Sequence, residues 1–246
     1  MNETTPAHGD GPPARTLYGR RKGKKLRLHQ AELVSSTLPD IAINLSEPIE
    51  TPAALFATRP EVVRIEIGFG GAEHLVHEAC RHPEIGYIGC EPFVNGVAKL
   101  LVQIDEKGIA NVRAHHGDAR DVLKKLPNAS IDRVDVLYPD PWPKWRQRKR
   151  RFLSTANIAE IARVLRPDGV LRFATDIDDY AGWVLTRVIQ DANWRWEEGH
   201  VGARNWLEPW ADWPSTRYEA KAFREGRTPV YLTFARNADQ SASSTP

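Results

Sequence analysis

Five acidic residues stand at or near the ends of short apolar, β-branched runs: Glu66, Glu91, Asp118, Asp140 and Asp176. A single acid in such a place is usually a helix cap or a turn residue. Five brought to one sheet edge repel one another unless a ligand supplies donors or positive charge. The first run ends in Gly68-Phe69-Gly70-Gly71, a turn that lets a ligand approach the backbone at the start of a helix. Glu91 follows about twenty residues later, where a carboxylate can accept from both hydroxyls of a ribose. A nucleoside-containing ligand is therefore expected. NAD also suits a glycine turn, but a pyrophosphate would be repelled by acids at Glu66 and Asp118. A sulfonium with an amino-acid tail and an adenine amine would not, so S-adenosyl-L-methionine is the better match.

These residues need a scaffold that gathers strand ends. The chain alternates β-branched runs with segments of helical spacing, the signature of a parallel sheet with helices on both faces. Strands are expected at Val62–Ile67, Tyr87–Cys90, Val112–His115, Arg133–Tyr138, Val170–Thr175, Trp194–Glu197 and Val230–Ala235. A helix after the glycine turn would place Leu75, Val76, Ala79 and Cys80 on one face. A second has Val94, Val97, Ala98, Leu101 and Ile104 among its apolar positions. A third spans Ala156 to Leu165, closed by Arg166-Pro167-Asp168-Gly169, and a short one runs from Gln30 to Leu38. Three prolines in Pro139-Asp140-Pro141-Trp142-Pro143 impose a loop after the fourth strand. A Trp-rich connection, Gly199 to Gly226, joins the last two strands. One domain, residues 19–236, is expected between a Pro- and Gly-rich tail, 1–18, and a polar tail, 237–246.

The 246 residues are 41% hydrophobic and 27% charged, enough for a sizeable core. No apolar stretch is long enough to cross a bilayer and no secretory core precedes the domain, so a cytoplasmic location without membrane association is expected. Two cysteines and eight scattered histidines offer no metal-ligand spacing, so no metal is expected. Net charge is only +2, yet six of the eight residues Lys144 to Arg151 are basic and interleaved with tryptophan. Seven more Lys or Arg lie between Gly11 and Ala31, with no acid among them. Two such runs point to a polyanion.

Together, Glu66-Ile67-Gly68-Phe69-Gly70, Gly89-Cys90-Glu91, Gly117-Asp118-Ala119, Tyr138-Pro139-Asp140-Pro141-Trp142-Pro143-Lys144, Ala174-Thr175-Asp176 and Thr216-Arg217-Tyr218-Glu219 resemble the successive signatures of the bacterial tRNA (guanine-N7-)-methyltransferase family. Tyr18-Gly19-Arg20-Arg21-Lys22-Gly23 resembles its basic N-terminal signature, and the resemblance runs from about residue 18 to 236. It implies a class I methyltransferase fold, Rossmann-like, with a seven-stranded, mostly parallel sheet whose last strand is antiparallel. It also implies methyl transfer from S-adenosyl-L-methionine to guanine N7 at position 46 in tRNA numbering, without an obligatory protein subunit. Carried onto this chain, it assigns Glu66, Gly68, Gly70, Glu91, Asp118, Ala119 and Asp140 to the cofactor, with Asp140 also catalytic. Lys144, Asp176, Thr216, Arg217, Tyr218 and Glu219 would bind substrate, and Arg146, Arg148, Lys149, Arg150 and Arg151 would face RNA. Ala72 departs from the family's third glycine, and its methyl could crowd the cofactor.

Guanine N7 has an in-plane lone pair and no proton, so its methylation needs no general base. A carboxylate such as Asp140 or Asp176 suits the paired N1–H and N2–H donors of guanine, and Trp142 or Tyr218 could stack on the exposed base. Trp206, Trp210 and Trp213 are expected to close a satellite core. Three other readings stay open: an amino-group methyltransferase on another base, a noncatalytic tRNA-binding protein on the same scaffold, and an NAD-dependent oxidoreductase.

Overall fold

The computed structural model describes residues 18–19, 23–199 and 205–238. The expected tails and the cations Arg20, Arg21 and Lys22 otherwise lie outside the described residues. Seven strands form one sheet: β1 Val63–Ile67, β2 Gly86–Cys90, β3 Val112–His115, β4 Ile131–Leu137, β5 Leu165–Thr175, β6 Trp194–Trp196 and β7 Val230–Arg236. Their order is β3-β2-β1-β4-β5-β7-β6. The first five are parallel, while β7 runs antiparallel to β5 and β6 antiparallel to β7. Chain order reverses between β1 and β4, so a crevice opens beyond their carboxyl ends.

Helices cover both faces. On one lie α1 Leu28–Ser36, the short α2 Leu38–Ile41, α3 Glu73–Arg81 and α4 Val94–Lys107. They bury Leu33, Leu75, Val76, Leu100 and Leu101 against Tyr87 and Val112. On the other lie α5 Ala119–Lys125, α6 Thr155–Val164 and α7 Asp178–Ile189. Their Val122, Ile158, Ile161 and Val184 pack on Ile65, Ile67, Val134 and Val136. Cys80 is exposed, so it stands off the buried face of α3 on which its spacing placed it. Its neighbours Leu75, Val76 and Ala79 are buried as expected.

Three departures have local causes. Arg166-Pro167-Asp168-Gly169 follows the end of α6 as expected, but it lies inside β5 instead of in a loop before it, at a register shift in its pairing with β4. Asp168 takes φ 61° there, a bulge geometry that tolerates proline and glycine inside a strand. The expected Trp-rich connection contains α8, Arg217–Arg224, a short helix whose only buried residues are Glu219 and Ala222. Thr216 starts it by accepting a hydrogen bond from Glu219 N at 3.2 Å. Trp210 and Trp213 do join Leu137, Ala174 and Tyr231 in a satellite core, but Trp206 stays partly exposed against Trp196.

Candidate active site

A cavity of about 590 Å³ opens at the β1/β4 crevice, within the range that holds a nucleoside-sized ligand. The glycine turn forms one wall. Gly68 and Gly70 hold φ of 76° and 55°, a left-handed region that L side chains rarely adopt. Glu91, at the end of β2, spans the turn: one carboxylate oxygen accepts from Gly70 N at 2.7 Å, the other from Phe93 N at 2.9 Å. Burial raises the Glu91 pKa, against the lowering effect of these two bonds. α4 presses on the same turn, because a Cβ on Gly96 would lie 2.3 Å from the Gly70 carbonyl oxygen and 3.0 Å from Glu91. Gly96 is a site-shaping residue that the sequence patterns did not single out.

Asp118 and Ala119 line the next stretch of wall. Asp118 caps α5 by accepting from Arg120 N at 3.0 Å and also holds the Arg120 guanidinium. Both the structural role of a cap and a place in the cavity thus fall to one residue. Asp140 lines the cavity from the loop after β4, and it takes no hydrogen bond or ion pair from the described residues. Desolvation raises its pKa. The loop carrying it is strained at both ends, with Tyr138 at φ 49° and Trp142 at φ 41°. Tyr138 and Tyr218 line the cavity as near-parallel rings, 16° apart in plane with centroids 6.4 Å apart.

Glu66 is not with the other acids. Strand residues alternate faces, and Ile67 points to the cavity while Glu66 turns beneath α3. There it is buried, 2.7 Å from His74 Nδ1. Burial raises the Glu66 pKa, and His74 rises too because the Glu66 carboxylate outweighs the lowering effect of its own burial. Asp176 also leaves the expected cluster: it pairs with Arg227 Nε at 2.6 Å and lies outside the cavity wall. Convergence of all five acids is therefore corrected to three, Glu91, Asp118 and Asp140.

The other expected substrate residues divide in the same way. Tyr218 lines the cavity, and Arg217 packs beside Gly70 and Gly71 while pairing with Glu73 at 3.3 Å. Thr216 is the α8 cap, and buried Glu219 accepts from Trp213 Nε1 at 2.8 Å and from the Tyr231 hydroxyl. Both are built into the support of Tyr218. Tyr18, placed in the tail by composition, packs edge-on to Trp142 and lines the cavity.

The basic run coils as a 3-10 turn, Trp145–Arg150, and sorts its cations. Lys144, Arg146 and Lys149 are exposed. Arg148 pairs with Asp179 at 2.6 Å, and Arg150 lies over the rings of Tyr18 and Trp142. Arg151 cannot face RNA: it is 2% exposed, donates to the Pro141 carbonyl at 2.8 Å, pairs with Asp179 and sits over Tyr180 and Trp183. It ties the Asp140 loop to α7. Among the described residues no cluster of His, Cys, Asp or Glu could hold a metal ion, and no helix is long and apolar enough to cross a membrane.

Ala72 holds φ 64° at the N-cap of α3. Its methyl is fully buried in the core and not on the cavity wall. Its cost is backbone strain rather than a crowded ligand.

Comparison with known proteins agrees with this geometry. A family model described as "Putative methyltransferase" matches residues 60–232. The chain is 50% identical to a tRNA (guanine-N(7)-)-methyltransferase of Rhodopseudomonas palustris, over 91% of this chain and 89% of that one. It is 52% identical to one of Rhizobium meliloti, over 89% and 94%. Among solved structures, the 16S rRNA methyltransferase KamB superposes with a TM-score of 0.53 at 16% identity, over 73% of this chain and 89% of that one. The aminoglycoside resistance methyltransferase NpmB1 gives 0.50 at 17%, over 79% and 98%. These two speak for the fold, while the sequence relatives speak for the family. A glycine turn closed by an acid, a proline-bound aspartate over the switch-point crevice and about half of the aligned residues shared with those relatives lead to one assignment: the chain belongs to the tRNA (guanine-N(7)-)-methyltransferase family.

Proposed function

We propose that this chain transfers a methyl group from S-adenosyl-L-methionine to N7 of the variable-loop guanine of tRNA, as a single catalytic domain over residues 19–236 working in the cytoplasm without an obligatory subunit. One observation carries the choice of cofactor: Glu91 already accepts the Gly70 N–H at the glycine turn. In a dinucleotide site that donor serves the pyrophosphate. With a carboxylate in its place, and Asp118 and Asp140 along the same wall, the residues fit a cationic nucleoside and repel a diphosphate. The bound sulfonium would supply an electrophilic methyl.

Glu91 is anchored by its two backbone bonds and keeps further lone pairs for the ribose hydroxyls. Asp118 and Ala119 flank the adenine end, and Gly68 and Gly70 give backbone access. Asp140, on the cavity wall and without a partner among the described residues, accepts the N1–H and N2–H edge of guanine. It also stabilises the positive charge that develops on the ring as the N7–carbon bond forms and the carbon–sulfur bond breaks. No proton leaves N7, so no base is needed. Catalysis then rests on holding the reacting atoms in line at about 3 to 3.5 Å. Tyr218, backed by Tyr138 and carried by the Thr216–Glu219 support, stacks on the unpaired base. Lys144, Arg146 and Lys149 contact the phosphates.

The test is nucleoside analysis after incubation of the chain with methyl-labelled S-adenosyl-L-methionine and unmodified tRNA transcript. Label in 7-methylguanosine is expected. Label in a methylated adenine or cytosine would favour the amino-group reading, and binding without transfer the noncatalytic one.

A further inference from the structure

Trp145 is the most exposed tryptophan among the described residues, 78% open to solvent at the first position of the basic 3-10 turn. Isolated apolar residues on a surface are ordinary, but this one is held in a particular way. The Arg148 guanidinium lies 5.0 Å from the Trp145 ring, one turn on, and is itself fixed by Asp179 Oδ1 at 2.6 Å. Asp179 belongs to α7 and also pairs with buried Arg151, so the clamp is anchored in the fold. A cation over one face orders the indole and leaves the other face to solvent. Exposed Lys144 and Arg146 flank it in the chain and exposed Lys149 follows in the same turn, and Lys149 lines the cavity.

A flat, preordered aromatic face on a turn that carries exposed cations is the arrangement that binds single-stranded nucleic acid: the charges follow the phosphates and the ring takes a base. We propose that Trp145 is a stacking platform for an unpaired base adjoining the target nucleotide of the RNA. This rests on the tRNA reading above and adds a recognition element beyond the reaction pocket. Stacking needs a π-face but not hydrogen-bond readout, so the platform accepts any base and holds the loop open beside the pocket.

The experiment measures tRNA affinity of the full chain and of Trp145→Ala, Trp145→Phe and Trp145→Leu at several salt concentrations, together with S-adenosyl-L-methionine affinity and melting temperature. It also uses tRNA carrying 2-aminopurine at each nucleotide flanking the variable-loop guanine. Expected is a roughly five- to hundredfold loss of tRNA affinity for Ala and Leu, with Phe close to the parent. The salt slope, the cofactor affinity and the melting temperature stay unchanged. A flanking 2-aminopurine is quenched by the parent and by Phe but not by Ala. Parent-like affinity of Trp145→Ala, or a loss that Leu repairs as well as Phe, would overturn the platform. A parent chain that methylates tRNA while Trp145→Ala behaves identically sinks only this inference. A parent chain that does not bind tRNA sinks both.

Discussion

At the scale of single residues, Asp140 and Ala72 separate chemistry from construction. Asp140 lines the cavity with no partner among the described residues, so Asp140→Asn removes an acceptor from the guanine edge without breaking a structural bond. Its predicted effect is a fall in kcat/KM of about 30- to 100-fold, the worth of one charge-assisted hydrogen bond, with the melting temperature unchanged. Steady-state kinetics and a thermal melt check both halves. Ala72→Gly relieves a left-handed alanine worth about 1 kcal/mol, but gives up a buried methyl worth about 0.8 kcal/mol and adds freedom to the unfolded chain. Stability measured by denaturant should therefore change by less than about 1 kcal/mol, with cofactor affinity unmoved. A marked gain in affinity would mean that the methyl crowds the cofactor after all.

At the scale of elements, the site depends on how β1, β2 and α4 meet. The Gly96→Ala methyl would sit 2.3 Å from a backbone oxygen that cannot swing aside. The prediction is a loss of at least about tenfold in S-adenosyl-L-methionine affinity, with a stability cost of about 1–3 kcal/mol from overpacking, both accessible by titration calorimetry and denaturation. Beneath the same strands, Glu66 and His74 share a buried contact; burial raises the Glu66 pKa although His74 opposes it, and the Glu66 carboxylate raises that of His74 against the lowering effect of burial. A group whose pKa is raised by folding adds stability that is complete below its unfolded value and is lost as pH rises through the folded one. The parent should therefore lose thermal stability as pH rises above the ordinary imidazole value of 6.5, and Glu66→Gln, which keeps an acceptor but no charge, should flatten that loss. An unchanged slope in the variant would remove His74 as its source.

The elements that could be read from the sequence are those that obey one period. β1 to β4 and the helices α3, α4 and α6 carry clean apolar repeats, and strand ends then place Glu91, Asp118 and Asp140 together. Glu66 could not be placed in that way, because a strand-end acid one residue short of the end faces the other side of the sheet. α8 stayed hidden because it is short and its buried side holds only Glu219 and Ala222, one of them an acid, so that side carries no apolar run. Its start was nonetheless written in the sequence as Thr216 three residues before Glu219, a capping pattern that outranks hydropathy here. Gly96 escaped because it is one small residue inside an ordinary amphipathic helix, and only the approach of Gly70 gives it meaning.

At the scale of the whole molecule, a net charge of +2 hides a divided surface. The family resemblance turned five cations of the basic run toward RNA, but tertiary structure keeps three of them for itself: Arg151 is buried, Arg148 is paired and Arg150 covers two rings. Composition cannot make that division, since it is set by Asp179 and by rings contributed from distant positions. The consequence is measurable as the slope of log affinity for tRNA against log salt. Lys144→Ala, Arg146→Ala and Lys149→Ala should each reduce the slope by roughly one. Arg151→Ala should leave it unchanged and instead cost about 2–3 kcal/mol of stability, because a buried guanidinium and its bonds are lost.

The most direct measurement is methyl transfer from labelled S-adenosyl-L-methionine to two tRNA transcripts that differ only in the variable-loop base, guanine in one and adenine in the other. The proposed function predicts label in 7-methylguanosine for the first transcript, none for the second, and comparable binding of both. Equal labelling of the two, or none in the first despite tight binding, would contradict it.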